Sequence, residues 1–313
     1  MNKMNRKKTD RGLTLKAALQ LSAPHTWPAS VLPVLLGAAL AFEKGAAPGP
    51  VRLLLTLATG VLLQSAVNTL NDYRDFSTGL DTAENCDDPT DAALIYEGAG
   101  PRAVLIFGLC LLMCAGAAGA ALVIYLKSPV LLIYAGAALL AIMLYTMPGV
   151  SFSSLPLGEM LSGVAMGGVL TCAAYHIQSG GLKLEIPALC IPAVLTVAGI
   201  MLTNNISDTE KDREGNRRTF PVCVGRDAAQ TVLRILIAVA ALAVAIAASV
   251  KYPGGLAVVP VMFIAVALCS GPLFCRSLVR EIRGLSMRCI LASHSRIITS
   301  YIAVIILHRL TYI

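Results

Sequence analysis

The sequence predicts an all-α fold, a multi-pass transmembrane bundle of nine helices around a central cavity, and three observations carry that expectation. The 313-residue chain is 56% hydrophobic and only 14% charged, with a mean hydropathy of +0.73, whereas soluble domains carry roughly 25% charged residues. Its apolar residues fall into runs near the length a bilayer-spanning helix needs, about 20 residues. Its Lys and Arg residues lie between those runs and favour alternate loops, as membrane orientation requires.

Nine segments are expected, near 27–43, 51–72, 103–126, 129–147, 156–178, 187–206, 228–249, 254–275 and 289–308. Pro, Gly and charge separate them, and Met147-Pro148-Gly149 divides an uncharged stretch too long for one helix. The N-terminal residues 1–20 are polar and basic without a short apolar core, and read as a retained cytoplasmic tail rather than a signal peptide. Residues 21–313 then form a single transmembrane domain in a cell membrane. With the tail cytoplasmic, the loops after segments 2, 4, 6 and 8 share its side. Only Lys44, Arg52, Lys127, Lys183, Lys251 and Arg309, of 25 basic residues, fall on the other.

The formal charge of +7 does not indicate nucleic acid, because basic and aromatic residues do not interleave into a binding surface. The nine cysteines include no CxxC pair. Cys110, Cys114, Cys172, Cys190 and Cys269 lie inside apolar runs and read as small buried hydrophobes.

The acids point to chemistry. Of 18 Asp and Glu residues, 11 fall in two short windows, both expected at the cytoplasmic face. In the first, Asn68, Asn71, Asp72 and Asp75 are spaced i, i+3, i+4, i+7 and share one helical face. Gly79 then lets the chain turn so that Asp81 comes back toward that face. In the second, Asn204, Asp208 and Asp212 are spaced i, i+4, i+8. Glu84, Asp87, Asp88 and Asp91 lack the period and read as loop charges. Asn and Asp oxygens on such faces suit Mg²⁺, which takes one or two carboxylates together with water and substrate phosphate. Lys211, Arg213, Arg217 and Arg218 stand beside the second window and suit phosphate oxygens. The order of an EF-hand loop is missing.

At these windows the chain resembles the UbiA superfamily of intramembrane prenyltransferases. Asn71-Asp72-x-x-Asp75-x-x-x-Gly79-x-Asp81 is similar to its first aspartate-rich motif, and Asn204-Asn205-x-x-Asp208-x-x-x-Asp212-Arg213-Glu214 to its second. The stretches Thr26-Trp27-Pro28-Ala29-Ser30, Gly158-Glu159, Tyr175-x-x-Gln178-x-Gly180 and Arg218-Thr219-x-Pro221-Val222 look most like the branch that prenylates 1,4-dihydroxy-2-naphthoate for menaquinone. The likeness runs from about residue 20 to about 230 and thins to hydropathy beyond.

The resemblance implies a polyprenyl diphosphate donor, an aromatic acceptor and Mg²⁺ held by Asn71, Asp75, Asp208 and Asp212. It makes Asp72, Asp81 and Asn204 supporting ligands and places Glu159 near the acceptor. The loop Met147–Leu155 departs from the family by carrying no basic residue, which points to an unusual acceptor or to a cation recruited from elsewhere. The motif pair reads the donor, so hydroxybenzoate, porphyrin or other acceptors stay open. A cation-coupled transporter is disfavoured, because its sites would lie near the midplane rather than at one face. His25 is expected at headgroup level, and His176 and Gln178 as packing or interfacial residues at the far end.

Overall fold

The computed structural model describes residues 12–47, 49–83, 86, 93–146 and 152–312. The N-terminal residues 1–11, the loop charges Glu84, Asp87, Asp88 and Asp91, and the loop residues Met147 to Ser151 lie outside them. Nine helices match the nine expected segments among the described residues. They are α1 Pro28–Glu43, α2 Pro50–Ser77, α3 Pro101–Leu126, α4 Leu131–Thr146, α5 Gly158–Ser179, α6 Ile191–Ser207, α7 Arg226–Val250, α8 Val258–Cys275 and α9 Arg283–Thr311.

Six of these, α2, α3, α5, α7, α8 and α9, are long and apolar enough to cross a bilayer. The pair Leu15–Thr26 and Pro28–Glu43, bent by 50°, brings the number to seven when counted as one span. The helices α4 and α6 are apolar but only 16 and 17 residues long. The expectation of nine spans therefore exceeds the six or seven that length and composition establish.

Local chemistry sets the boundaries. Pro28, Pro50 and Pro101 each stand at the first helical position, where a missing N–H costs nothing. The bend before α1 follows Ala23, held at φ 45°, and the short helix Leu15–Ser22 precedes it. Ala17 and Leu21 of that helix are buried against Ala93, Leu94, Ala99 and Val104. Ordered packing thus begins inside the stretch read as a tail.

The main core joins α1, α5, α6, α7, α8 and α9. Lipid gives helices no hydrophobic reason to associate, so close backbone approach must supply the attraction. Gly167 shows the consequence: a Cβ there would sit 2.5 Å from the Ala193 carbonyl oxygen of α6. Buried His294 ties three helices together, with Nδ1 2.8 Å from Thr196 Oγ1 and Nε2 3.1 Å from the Pro28 carbonyl. Outward, Ile106, Met113, Ile133 and Leu268 are exposed, the apolar surface a bilayer covers.

The two ends of the bundle differ in chemistry. At one end Glu185 pairs with Lys44 at 3.0 Å and with Lys251. Those two cations hold its carboxyl below the usual range, Lys251 first. Nearby, Arg52 donates to the Ile177 and Gln178 carbonyls, and Gln178 accepts from the Gly49 N–H at 3.1 Å. These are residues expected on the far side. The Asn/Asp windows occupy the opposite end.

Candidate active site

A cavity of about 750 Å³ runs through the bundle. At one end it is lined by Asn68, Asn71, Asp72, Asn204 and Arg283, and at the other by Leu122, Leu131, Tyr134 and Ile177. Along α2, Asp72 and Thr56 both line it; at 1.5 Å per residue their separation gives a cavity about 24 Å long. One polar mouth above a deep apolar shaft suits an amphiphile with an anionic head and a long hydrocarbon tail.

The first motif is built by α2, which continues past the expected limit to Ser77. Helical spacing turns Asn68, Asn71 and Asp72 to the cavity, while Asp75 is buried. Asn71 donates to Asp75 Oδ2 at 3.1 Å. Gly79, at φ 76°, then reverses the chain, and the Asp81 N–H returns to the Asp75 carbonyl at 3.1 Å. That left-handed φ favours glycine, because a Cβ would be crowded there.

The second motif departs from a single helical face. The helix α6 ends at Ser207, Asp208 lies outside helical geometry at ψ 13°, and a separate turn Thr209–Glu214 follows. The i→i−4 bonds nevertheless continue, from Asp208 N–H to Asn204 and from Asp212 N–H to Asp208. The intended spacing survives the break.

The two motifs meet. Arg217 pairs with Asp75 of the first, and its other nitrogen lies 3.5 Å from Asp212 of the second. Lys211 pairs with Asp81 at 2.5 Å. Arg283 joins α9 to the same cluster, with Nε 3.2 Å from Asp208 and Nη2 2.5 Å from Asn204 Oδ1. Thr219 donates to Asp212 at 2.9 Å. Asp72 faces the cavity with no ion-pair partner among the described residues.

Burial governs the charges here. It pushes the Asp208 carboxyl up to about 7, although Lys211 opposes it. Asp212 is raised for the same reason despite Arg217 and Thr219. For Lys211 burial alone would lower the ammonium, but Asp81 and Asp208 outweigh it and raise the group. A crowded set of carboxylates in a poorly solvated pocket calls for cations.

Not every expected residue joins the cluster. The Arg213 and Arg218 side chains are exposed, and Arg218 contributes its backbone N–H to the Ser154 carbonyl at 2.8 Å. Glu159 is buried and accepts from Asn205 at 2.8 Å, which binds α5 to the second motif. His25 lines the cavity. His176 packs as expected, 3.2 Å from Ser128 and edge-on to Tyr134.

Two cations were not picked out from the sequence. Arg283 carries no motif and resembles an ordinary charge flanking a span. Arg74 occupies an unassigned position within the first motif, and donates to Ser153 at 2.7 Å and Ser154 at 3.2 Å. Those serines belong to the loop Met147–Leu155, which has no cation of its own.

A model of the UbiA prenyltransferase family matches residues 30–282. The chain belongs to this family. It is a UbiA-type prenyltransferase and a multi-pass membrane protein. It is 36% identical over 227 residues to the 1,4-dihydroxy-2-naphthoate octaprenyltransferase of Bacillus subtilis, covering 71% of this chain and 70% of that one. It is also 36% identical over 207 residues to the human UbiA prenyltransferase domain-containing protein 1, and there spans 59% of the relative's length. The fold is shared with a UbiA homolog from Archaeoglobus fulgidus solved bound to DMAPP and Mg²⁺. That likeness has a TM-score of 0.59 at 18% identity and covers 90% of this chain and 99% of the other.

Proposed function

We propose that this UbiA-family chain transfers a polyprenyl group from a polyprenyl diphosphate to 1,4-dihydroxy-2-naphthoate, with loss of CO₂, and depends on Mg²⁺. The observation that carries the reading is the convergence of both Asn/Asp motifs on the polar mouth of one long apolar cavity. The similarity to the Bacillus subtilis octaprenyltransferase supports the acceptor.

Donor sets that fit Mg²⁺ are present. Among the described residues no three His, Cys, Asp or Glu side chains converge as a ready cage. Mg²⁺ prefers one or two carboxylates completed by water and substrate phosphate. Among the described residues, the buried Asn71 Oδ1 has no hydrogen-bond partner, and Asp72 faces the cavity with no cation within ion-pair distance. Asn71, Asp75, Asp208 and Asp212 would hold the metal, with Asp72, Asp81 and Asn204 supporting. Bound there, it supplies positive charge to the departing diphosphate.

The chain's own residues do the rest. The cavity mouth fixes the diphosphate and the shaft keeps the tail from water. Lys211 and Arg217 offer charge to phosphate oxygens as the allylic C–O bond breaks and its electron pair leaves with diphosphate. The ring carbon bearing the carboxylate forms the new C–C bond. Its bond to the carboxyl then breaks, CO₂ departs, and the electron pair restores the aromatic ring as demethylmenaquinol. Arg74, held by Ser153 and Ser154, supplies the cation that their own loop lacks, and so supports a carboxylated acceptor. The distribution of Lys and Arg supports a cytoplasmic mouth.

The test supplies the purified protein with geranylgeranyl or longer prenyl diphosphates, Mg²⁺ and a panel of aromatic acceptors. Naphthoate-dependent CO₂ and demethylmenaquinol are expected. Product with a hydroxybenzoate or porphyrin alone would replace the acceptor while keeping the prenyl transfer.

A further inference from the structure

Arg283 is the first residue of α9 and lines the cavity beside Asn71, Asp72 and Asn204. It lies in the part of the chain where the motifs have ended. Its side chain is only a quarter exposed. The guanidinium spans Asn204 and Asp208, two oxygen donors of the second motif. Arg217 does the same between Asp75 and Asp212. Asp75, Asp81, Asp208 and Asp212 are thus each paired with a side-chain cation, while Asp72 faces the cavity.

We infer that Arg283 is a diphosphate-binding residue, which holds Asn204 and Asp208 in the metal-free protein and exchanges them for phosphate oxygens when metal and diphosphate bind together. The inference rests on reading the two motifs as a Mg²⁺-diphosphate site. A metal ion arriving alone must displace a largely buried guanidinium from its carboxylate, a costly move unless another anion receives it. A diphosphate at the same cavity mouth is such an anion, and the planar fork of Arg matches phosphate oxygens two at a time. Metal and diphosphate then each improve the other's binding through one side chain, and this coupling is reciprocal.

The test uses the full chain in detergent, with Mn²⁺ as a spectroscopically visible metal and inorganic pyrophosphate as the anion. In the wild type, pyrophosphate tightens Mn²⁺ binding. Arg283→Gln removes the competitor and the anion partner together. Mn²⁺ alone is expected to bind severalfold tighter, and pyrophosphate in its presence about tenfold to a hundredfold more weakly. Arg283→Lys keeps the charge without the fork, and its coupling should fall between the two; it serves as the measurement if the Gln variant does not fold. Unchanged pyrophosphate affinity, or weaker binding of Mn²⁺ alone, in a variant with the wild-type melting temperature overturns the role of Arg283. A wild type that binds no pyrophosphate with metal overturns the site reading itself.

Discussion

Arg217 and Asp75 stand 142 residues apart in the chain and form a buried ion pair behind Asn71, which lines the cavity. That contact closes the two halves of the site, because the same guanidinium reaches Asp212. A buried pair of this kind is weak evidence for stability, since desolvation offsets much of its attraction. Its value lies in placement. It holds carboxylates from two distant segments within one side chain's span, ready for a cation of higher charge.

Asp75→Ala and Asp208→Ala are each expected to lower turnover by about a hundredfold or more, the usual scale for removing a group that stabilises developing charge. Each leaves its motif partners in place, so the helical fold should persist. Pyrophosphate release measures the first effect, and circular dichroism with size-exclusion chromatography the second. Near-normal rates in both variants would remove these residues from the site.

Much of this arrangement was legible because helical periodicity is local. The spacing of Asn68, Asn71 and Asp72 needs only 3.6 residues per turn to place them on one face, and all three line the cavity. Gly79 also announced its turn. Arg283 and Arg74 were opaque for the opposite reason: each meets its partners across a tertiary contact, with Asp208 and Ser153 respectively. The break at Asp208 was hidden because i→i−4 bonding continues through it. Length and composition establish six or seven spans, and α4 and α6 fall outside that count because they are only 16 and 17 residues long.

The raised Asp208 carboxyl gives a pH dependence with a definite sign. Its folded value of about 7 lies above the ordinary carboxylate range, so the folded protein holds this proton more tightly than the unfolded chain. In metal-free protein the group therefore favours folding as pH falls through 7, and its ionised form costs stability above that. A metal needs the ionised form and competes with the proton. The rise in melting temperature on adding Mg²⁺ should be larger above pH 7 and shrink below it. A Mg²⁺ effect constant from pH 5.5 to 8 (roughly the range over which such a group titrates) would contradict this.

Arg74 should report on the acceptor rather than the donor. Arg74→Gln removes the cation beside Ser153 and Ser154. A charged hydrogen bond to a carboxylate is worth about 1.5 to 3 kcal/mol, so KM for the naphthoate should rise about tenfold to a hundredfold. KM for the prenyl diphosphate should change little. Initial-rate kinetics with each substrate varied in turn separate the two. Equal weakening of both would place Arg74 at the diphosphate instead.

The tightest test of the bundle is Gly167→Ala. The added Cβ would lie 2.5 Å from both the Ala193 carbonyl oxygen and the Val194 nitrogen of α6. These are backbone atoms and cannot rotate away, so α5 and α6 must separate. Overpacking of this kind costs about 1 to 3 kcal/mol. The effect extends to function, because Met166 and Val169 beside Gly167 line the cavity and α6 carries Asn204. A lower melting temperature should therefore come with weaker prenyl diphosphate binding. Gly168→Ala, one position along, meets only the Val194 side chain at 3.3 Å and should cost much less. If the two variants melted alike, the close approach of α5 and α6 at Gly167 would not be what positions the second motif.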